Sequence, residues 1–271
     1  MTSLKDKSVL ITGAGRGIGK RLALGFAEAG ARVGLLARSK AELDLAHLEI
    51  EHAGGISLRI RADVCDFEQM AAAAERMRSH FGGVHVLVAS AAVQGPIGPL
   101  AENPPKAWAE AINTNLLGVM YSCRAVLPGM IARRAGSIVN VVSGAGCRPF
   151  ADMSAYVASK TALIRLSEQM AVEAKPYGVS VFPIRPGIVR TAMVEEARQK
   201  IPQIQQALDQ GLDSSTEAAA NLVAFLASGQ ADRLSGHLFS VHDDLEKILL
   251  HAEEIERDSL YMLRARELQK T

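Results

Sequence analysis

The sequence has little cysteine and almost no net charge. Its three cysteines, Cys65, Cys123 and Cys147, are an odd number without C-x-x-C spacing, which indicates free thiols rather than a disulfide framework or a zinc site. Thirty basic residues against 29 acidic ones give a formal charge of +1, and no basic run interleaved with aromatic residues is present. We therefore expect no nucleic acid partner.

Long apolar runs are also missing. A transmembrane helix needs roughly 20 consecutive apolar residues, and the longest candidate, around 84–93, is much shorter. The amino terminus, 1–7, is polar and lacks the apolar core of a secretion signal. We expect a cytoplasmic protein with no membrane partner. The sequence His242-Asp243-Asp244 resembles a helix start, where Asp caps the helix, so we expect no metal site there.

The chain does contain short β-branched runs that alternate with longer stretches of helical period. Several runs, such as 84–88 and 138–142, are almost continuously apolar, which is typical of parallel strands buried on both faces. This alternation predicts an α/β fold with a single Rossmann-type, doubly wound parallel sheet of about seven strands and helices on both faces. The predicted strands are 8–12, 32–37, 57–61, 84–89, 137–143, 179–185 and 237–241.

Helices are predicted between these strands and after the last one. The clearest are 18–29, 40–53, 66–80, a long stretch from 104 towards 134, and 154–174. The segment 193–211 is compatible with either a packed helix or a mobile flap. We assign 1–242 to one domain and 243–271 to a helical extension of it. Apolar residues at helical spacing predict an amphipathic tail helix, expected to pack on a neighbouring subunit or over a substrate pocket, with its own domain as the alternative.

A glycine-rich loop joins the first predicted strand to the first helix. In this context backbone amides at the helix amino terminus can approach a pyrophosphate. Glycines also make ordinary tight turns, but the strand before and the helix after favour dinucleotide binding. The residues assigned to this role are Gly13, Arg16, Gly17, Ile18 and Gly19.

The end of the second strand bears on the choice of cofactor. An Asp or Glu about twenty residues beyond the loop would hydrogen-bond the ribose hydroxyls of NAD, but the chain has Arg38 there. The guanidinium of Arg38, assisted by Arg16, offers a cationic fork to a 2′-phosphate. The sequence therefore favours NADP(H), with NAD(H) possible. The alternative is that both arginines are solvated surface charges.

Three polar residues form a candidate catalytic group. Tyr156 and Lys160 stand four residues apart, so on a helix they share one face. An ammonium beside a phenol stabilises the phenolate and lowers its pKa, which suits Tyr156 to proton transfer. Lys160 can also hydrogen-bond the nicotinamide ribose. Ser143 ends a buried-type strand and is placed at the carboxyl edge of the sheet, where open α/β folds bind ligands.

These motifs, in their order and spacing, resemble those of the short-chain dehydrogenase/reductase family from about residue 7 to 241. The matching pieces are Thr12-Gly13, Gly17-Ile18-Gly19, Asp63-Val64, Asn115, Ser143, Tyr156, Lys160 and the turn Pro186-Gly187-Ile188-Val189-Arg190-Thr191. The resemblance implies an NAD(P)-dependent enzyme that moves a hydride between the nicotinamide and a carbonyl or secondary alcohol, with Tyr156 as general acid or base. It also implies a homotetramer or homodimer.

The same resemblance implies roles for further residues. Asp63 and Val64 would contact the adenine, and Asn115 would hold a water that links Lys160 to a proton relay. Ser90 can hydrogen-bond near the adenosine ribose. The turn would face the nicotinamide carboxamide through Pro186, Gly187, Val189 and Thr191.

Two segments depart from the family pattern. The chain has Ala89-Ser90-Ala91-Ala92 where the family usually has Asn-Asn-Ala-Gly, so Ala92 lacks the freedom of glycine at positive φ. Val241-His242-Asp243-Asp244 replaces the usual Asp-Gly-Gly close. Three functions remain open: a secondary-alcohol, sugar or steroid dehydrogenase, a 3-oxoacyl thioester reductase, and a non-catalytic nucleotide-sensing or scaffold protein. Metal is not expected in any of them.

Overall fold

Seven parallel strands form a single sheet in the computed structural model, which describes residues 4–264. The second and third strands lie on one side of the first strand, and the fourth and later strands lie on its other side. The order of strands therefore switches between the first and fourth strands. A ligand cleft opens at such a switch, outside the carboxyl ends of the strands. The strands are β1 (Ser8–Thr12), β2 (Arg32–Ala37), β3 (Ile56–Arg61), β4 (Val86–Ala89), β5 (Gly136–Val141), β6 (Val179–Arg185) and β7 (Phe239–Ser240), arranged β3-β2-β1-β4-β5-β6-β7.

Helices cover both faces of the sheet, and each face has its own apolar core. The helices are α1 (Gly17–Glu28), α2 (Lys40–His52), α3 (Phe67–Phe81), α4 (Pro105–Ile112), α5 (Gly118–Arg133), α6 (Ser154–Ala174), α7 (Ala192–Arg198), α8 (Pro202–Asp209), α9 (Thr216–Leu226), α10 (Leu245–Leu250) and α11 (Ala252–Asp258). Residues of α1, α2 and α9 build one core, and residues of α3, α5 and α6 build the other. The predicted doubly wound parallel sheet is confirmed.

Strand and helix predictions agree with this fold to within a few residues. The bounds of β1, β2, β6 and α6 are those predicted. The last strand is shorter than expected, with only Phe239 and Ser240 in the sheet, because its pairing with β6 ends after two residues.

The long helical stretch after Pro104 is interrupted by one turn of π-helix, Asn113–Leu117, between α4 and α5. Within the described residues, the stretch Pro105–Arg133 is long and apolar enough to cross a membrane by length and composition alone. Its buried side belongs to the core of the sheet, through Val119, Cys123, Val126 and Met130. Packing within the fold therefore accounts for the apolar character of this side of the helix.

The segment 193–211 is a packed part of the fold, as one of the two predicted alternatives stated. It forms α7 and α8, and Ala197 and Ile201 are buried against Met153 in a small separate cluster. Thr191 caps α7 by accepting a hydrogen bond from the amide of Val194. This cluster lies beside the amino terminus of α6 and closes one side of the cleft described below.

The carboxyl-terminal extension packs on its own domain, as the alternative stated, and its described residues do not line the cleft described below. Packing on a neighbouring subunit stays a prediction. The extension forms two short helices rather than one, with Ile248 and Ile255 buried in the first core and Leu263 against the second. The predicted apolar stripe thus covers the edge of the sheet next to β7. Asp244 caps α10 by accepting a hydrogen bond from the amide of Lys247 at 3.1 Å. Residues 265–271 of the assigned extension lie outside the described part, and its boundary at 242 stays a prediction.

A buried carboxylate anchors the end of this extension. Glu168 on α6 is only 4% exposed. It accepts hydrogen bonds from the amide of Leu263 at 2.7 Å, from Arg264 at 3.3 Å and from Arg165. Hydrogen bonds to a buried charge are stronger than neutral ones, so this group ties the tail to the domain.

We expect Glu168→Gln to lower the free energy of unfolding by about 1.5–3 kcal/mol, because the charge that holds the two arginines is lost. Urea unfolding of the full chain measures the change. Glu173→Gln is the matched control, since Glu173 is exposed on the same helix. Equal midpoints for the two variants would contradict the anchoring role.

Candidate active site

A cleft of about 1150 Å³ runs along the carboxyl edge of the sheet, from the glycine-rich loop to the amino terminus of α6. This volume exceeds that of most pockets for drug-sized ligands. All but one of the residues assigned from the sequence line it, the exception being Asn115. Those that line it are Gly13, Arg16, Gly17, Ile18, Gly19, Arg38, Asp63, Val64, Ser90, Ser143, Tyr156, Lys160, Pro186, Gly187, Val189 and Thr191.

The glycine-rich loop lies directly against the loop after β4. Gly13 has a φ of +68°, and a Cβ at this position would lie 2.9 Å from the Cα of Ala91, so only glycine is accommodated. The buried hydroxyl of Thr12 accepts hydrogen bonds from the amides of Ser90 and Ala91, each at 3.1 Å. Arg16 at the N-cap of α1 makes no side-chain capping bond. The first amides of α1 are therefore left for a ligand, which suits a pyrophosphate.

The Ala-Ser-Ala-Ala segment at the end of β4 does not need a glycine at its last position. Among the described residues, the non-glycine positions with positive φ do not include Ala92. The freedom that glycine has at positive φ is thus not used here, and the hydrogen bonds that Ser90 and Ala91 donate to the Thr12 hydroxyl hold the loop in place.

The three candidate catalytic residues come together at the other end of the cleft. Ser143 lies two residues beyond the buried end of β5, while Tyr156 and Lys160 lie on the first turns of α6. Lys160 is 2% exposed, and its Nζ lies 5.8 Å from the centre of the Tyr156 ring. Nζ donates a hydrogen bond to the carbonyl of Val141 at 2.8 Å. An ammonium has three donors, so two remain for a ligand in the cleft.

Burial shifts the pKa values of Tyr156 and Lys160 in opposite directions. Burial raises the pKa of Tyr156, and a hydrogen bond with the Ser143 side chain lowers it in part. Burial also lowers the pKa of Lys160 to about 8. The sequence predicted a lowered pKa for the tyrosine. The pKa of Tyr156 is raised instead, because loss of hydration outweighs the neighbouring polar groups.

Asn115 lies behind the cleft and is fully buried in the π-helical turn between α4 and α5. Its amide group donates to the carbonyl of Val93 at 2.9 Å and to the hydroxyl of Ser159 at 3.1 Å, and it accepts from the amide of Val93 at 2.8 Å. The side chain thus ties the segment after β4 to α6. Other groups of the protein thus already occupy the polar atoms of the Asn115 side chain. The role in a water relay that the resemblance implies stays a prediction, and a relay water would have to bind the backbone of Asn115.

Apolar side chains line the part of the cleft beyond Tyr156. Phe150, Met153 and Ile204 belong to the cluster formed with α7 and α8, and Met193 also lines the cleft. A substrate carbonyl at Tyr156 would therefore have apolar protein beside it.

The turn after β6 closes another side of the cleft. Gly187 has a φ of +73°, and a Cβ there would lie 1.9 Å from the hydroxyl of Ser214, so the loop before α9 packs directly on it. The amide of Ser214 donates to the carbonyl of Ile188 at 2.8 Å, and Arg190 pairs with Asp213 at 2.9 Å. The segment before α7 and the segment after α8 are thus held together by a backbone hydrogen bond and an ion pair.

Sequence reasoning gave no role to four charged residues that line the cleft: Glu42, Arg148, Arg185 and Glu196. Glu42, on the first turn of α2, lines the same wall as Arg16 and Arg38. The spacing Ser39-x-x-Glu42, that of a helix capping box, was the available signal, but it indicates a helix start and not a ligand.

Comparison with known proteins agrees with this geometry. The family model described as short chain dehydrogenase matches residues 7–202. The chain belongs to the short-chain dehydrogenase family. It is 33% identical over 243 residues to the 3-oxoacyl-[acyl-carrier-protein] reductase FabG of Staphylococcus aureus, covering 87% of this chain and 96% of the relative. It is 32% identical over 239 residues to the cyclohexanol dehydrogenase of an Acinetobacter species, with coverages of 87% and 93%.

Solved structures of this family resemble the chain closely. An NAD⁺-bound xylitol dehydrogenase has a TM-score of 0.82 at 26% identity, covering 88% of this chain and 98% of that one. A variant of actinorhodin polyketide ketoreductase with NADPH also has a TM-score of 0.82, at 28% identity with coverages of 87% and 95%. This short-chain dehydrogenase is thus an NAD(P)-dependent oxidoreductase that acts on carbonyl or alcohol groups of small molecules. The neighbours contain both cofactors, so they do not decide between them.

Proposed function

We propose that this short-chain dehydrogenase is an NADP(H)-dependent enzyme for a carbonyl or secondary alcohol, with Tyr156 as general acid or base. The observation that carries the proposal is the convergence of Ser143, Tyr156 and Lys160 at one end of a cleft whose other end is the glycine-rich loop. When bound, the nicotinamide supplies or accepts the hydride. The protein positions the substrate and moves the proton.

Each catalytic side chain has a distinct task in this proposal. Tyr156 donates its phenolic proton to the carbonyl oxygen during reduction. During oxidation its phenolate accepts the hydroxyl proton of the alcohol. Ser143 donates a hydrogen bond to the same oxygen and thereby polarises the carbonyl. Lys160 stabilises the phenolate by its charge and offers its remaining donors to the nicotinamide ribose. Burial of both ionisable groups strengthens the interaction between them.

The cofactor-binding assignments follow the cleft. Amides of the loop that carries Gly13, Gly17, Ile18 and Gly19 would bind the pyrophosphate, since the start of α1 has no side-chain cap. Asp63, Val64 and Ser90 would contact the adenosine, and Pro186, Gly187, Val189 and Thr191 would face the nicotinamide carboxamide. Their common position along one cleft supports these roles.

Preference for NADP(H) rests on Arg16 and Arg38. Both line the adenosine end of the cleft, and both side chains are largely exposed, 75% and 70% respectively, so they can turn to a 2′-phosphate. No acid occupies the end of β2. NAD(H) remains the weaker cofactor in this proposal.

Replacing Arg38 with alanine is expected to weaken NADPH binding by about ten-fold or more and to leave NADH binding within about two-fold, because a charge-assisted hydrogen bond to the phosphate is lost. Titration of wild type and variant with each nucleotide measures both constants. Arg59→Ala is the control, since Arg59 lies on β3 outside the cleft-lining set. Wild-type preference for NADH, or equal losses for both nucleotides, would overturn the assignment.

The apolar wall formed by Phe150, Met153, Met193 and Ile204 favours a substrate with an apolar body beside the carbonyl. A 3-oxoacyl thioester is the second candidate, because the Staphylococcus aureus relative is named as a 3-oxoacyl reductase. The cyclohexanol dehydrogenase at nearly the same identity supports a plain secondary alcohol equally. Family membership and the presence of all three catalytic side chains favour an enzyme over a nucleotide sensor or scaffold.

Assembly and location stay predictions. We expect a homotetramer or homodimer in the cytoplasm, and partly exposed apolar residues along α5, among them Met120, Tyr121 and Leu127, offer a surface for a second copy.

A further inference from the structure

A carboxylate reaches into the cofactor cleft from the first turn of α2. The Oε1 of Glu42 lies 3.9 Å from the Nε of Arg16. A Cβ added to Gly15 would lie 2.9 Å from the Oε2 of the same carboxylate, so Glu42 leans directly over the glycine-rich loop. Glu42 therefore lies beside an arginine that the proposed function assigns to the 2′-phosphate.

The second arginine of this wall also has an acidic neighbour. Arg38 Nη1 lies 3.8 Å from Asp63 Oδ2. Two cations thus face two carboxylates along this wall of the cleft, and the four charges sum to zero. A phosphomonoester carries a charge of about −1.5 to −2. To pair with the two arginines it must therefore compete with the carboxylates of Glu42 and Asp63.

Helix capping accounts for the position of Glu42 but not for the direction of its side chain. The hydroxyl of Ser39 accepts a hydrogen bond from the amide of Glu42 at 3.3 Å and caps α2. In a reciprocal capping box the glutamate would accept from the amide of the cap residue. Among the hydrogen bonds of the described residues, no such bond to Ser39 occurs, and the carboxylate points to Arg16 instead.

We propose that Glu42 is a selectivity residue that limits the preference of this enzyme for NADP(H) over NAD(H). Its carboxylate competes with the 2′-phosphate for Arg16 and repels the phosphate across the glycine-rich loop. A nucleotide with a free 2′-hydroxyl does not meet this repulsion. The proposal rests on the proposed function, because it assumes that Arg16 and Arg38 receive the 2′-phosphate.

The test is a titration of the full chain with NADPH and with NADH, in wild type and in Glu42→Gln. Glutamine keeps the size of the side chain over Gly15 and removes only the charge. We expect NADPH to bind about five-fold more tightly to the variant, because one like charge close to a dianion is removed. NADH is expected to bind no more tightly than to wild type. The gain for NADPH is expected to shrink in high salt, where exposed charges are screened.

Glu51→Gln is the matched control, since Glu51 is an exposed acid on the same helix that pairs with His47 outside the cleft. An equal gain in Glu51→Gln would overturn the proposal, because net charge alone would then explain it. Weaker NADPH binding in Glu42→Gln would also overturn it and would mean that the carboxylate orients Arg16 for the phosphate.

Failure of the proposed function gives a different result. In that case wild type prefers NADH, and Arg38→Ala leaves NADPH binding unchanged. If wild type prefers NADPH, Arg38→Ala weakens it and Glu42→Gln changes neither nucleotide, then the function stands and only the role of Glu42 is wrong.

Discussion

Tyr156→Phe is expected to lower kcat by about 10²- to 10⁴-fold while NADPH binding stays within about two-fold of wild type, because general acid catalysis is removed without loss of the cleft. Phenylalanine keeps the ring beside Lys160 and removes only the phenolic hydroxyl, which carries the proton. Steady-state kinetics on the best carbonyl substrate gives kcat, and a nucleotide titration of the same preparation gives the binding constant.

Tyr177→Phe is the control for this substitution, since Tyr177 is 42% exposed and lies beyond the end of α6, away from the cleft. We expect it to retain full activity. Turnover by Tyr156→Phe within a few-fold of wild type would contradict the proton-transfer role. Loss of NADPH binding together with turnover would instead indicate that the ring is needed for cofactor binding.

Lys160→Met has the second largest expected effect. We expect kcat to fall by about 10²- to 10³-fold, and we expect the pH profile of alcohol oxidation to move upward by about 1–3 pH units. Oxidation requires the phenolate, and burial already raises the pKa of Tyr156. Removal of the neighbouring positive charge raises that pKa further. Lys106→Met, an exposed lysine on α4, is the control. An unshifted profile would show that Lys160 does not act on Tyr156.

The same substitution is expected to stabilise the ligand-free protein near neutral pH. The pKa of Lys160 is about 8 in the fold against an ordinary value of 10.5, so the unfolded chain binds this proton more tightly. Wild-type stability therefore rises as pH increases from about 8 towards 10, as the buried ammonium loses its proton. Lys160→Met should exceed wild type in urea at about pH 7, by an amount that shrinks at about pH 9.5. A constant difference across this range would contradict the buried charge.

Most of the fold followed from the sequence because the sheet is buried on both faces. A strand such as β6 has an apolar side chain at five of its seven positions, and its bounds were predicted to the residue. The last strand was overpredicted, since its hydrogen bonding depends on how far β6 extends beside it. The tail helix was recognised from its apolar spacing, but spacing does not identify the surface that buries it. Its anchor is Glu168, 95 residues away from Leu263 in the sequence.

The site was predictable where chemistry and local structure coincide. Tyr156 and Lys160 are one helical turn apart, so their proximity needed no tertiary information, and Ser143 followed from its position at a strand end. Protonation was not predictable, because burial, which a sequence does not give, sets the pKa of both groups. Glu42 was missed for a related reason. Its spacing indicates a helix cap, and only the close approach of α2 to the glycine-rich loop places its carboxylate in the cleft.

Transfer of deuterium tests the central claim most directly. NADPH labelled at the transferable position of the nicotinamide is incubated with the enzyme and with a panel of ketones, aldehydes and a 3-oxoacyl thioester, and the products are analysed by mass spectrometry. We predict that the label appears on the carbinol carbon of at least one product with wild type and is lost with Tyr156→Phe. Tight NADPH binding without label in any product would contradict the account and would favour a nucleotide-binding protein without turnover.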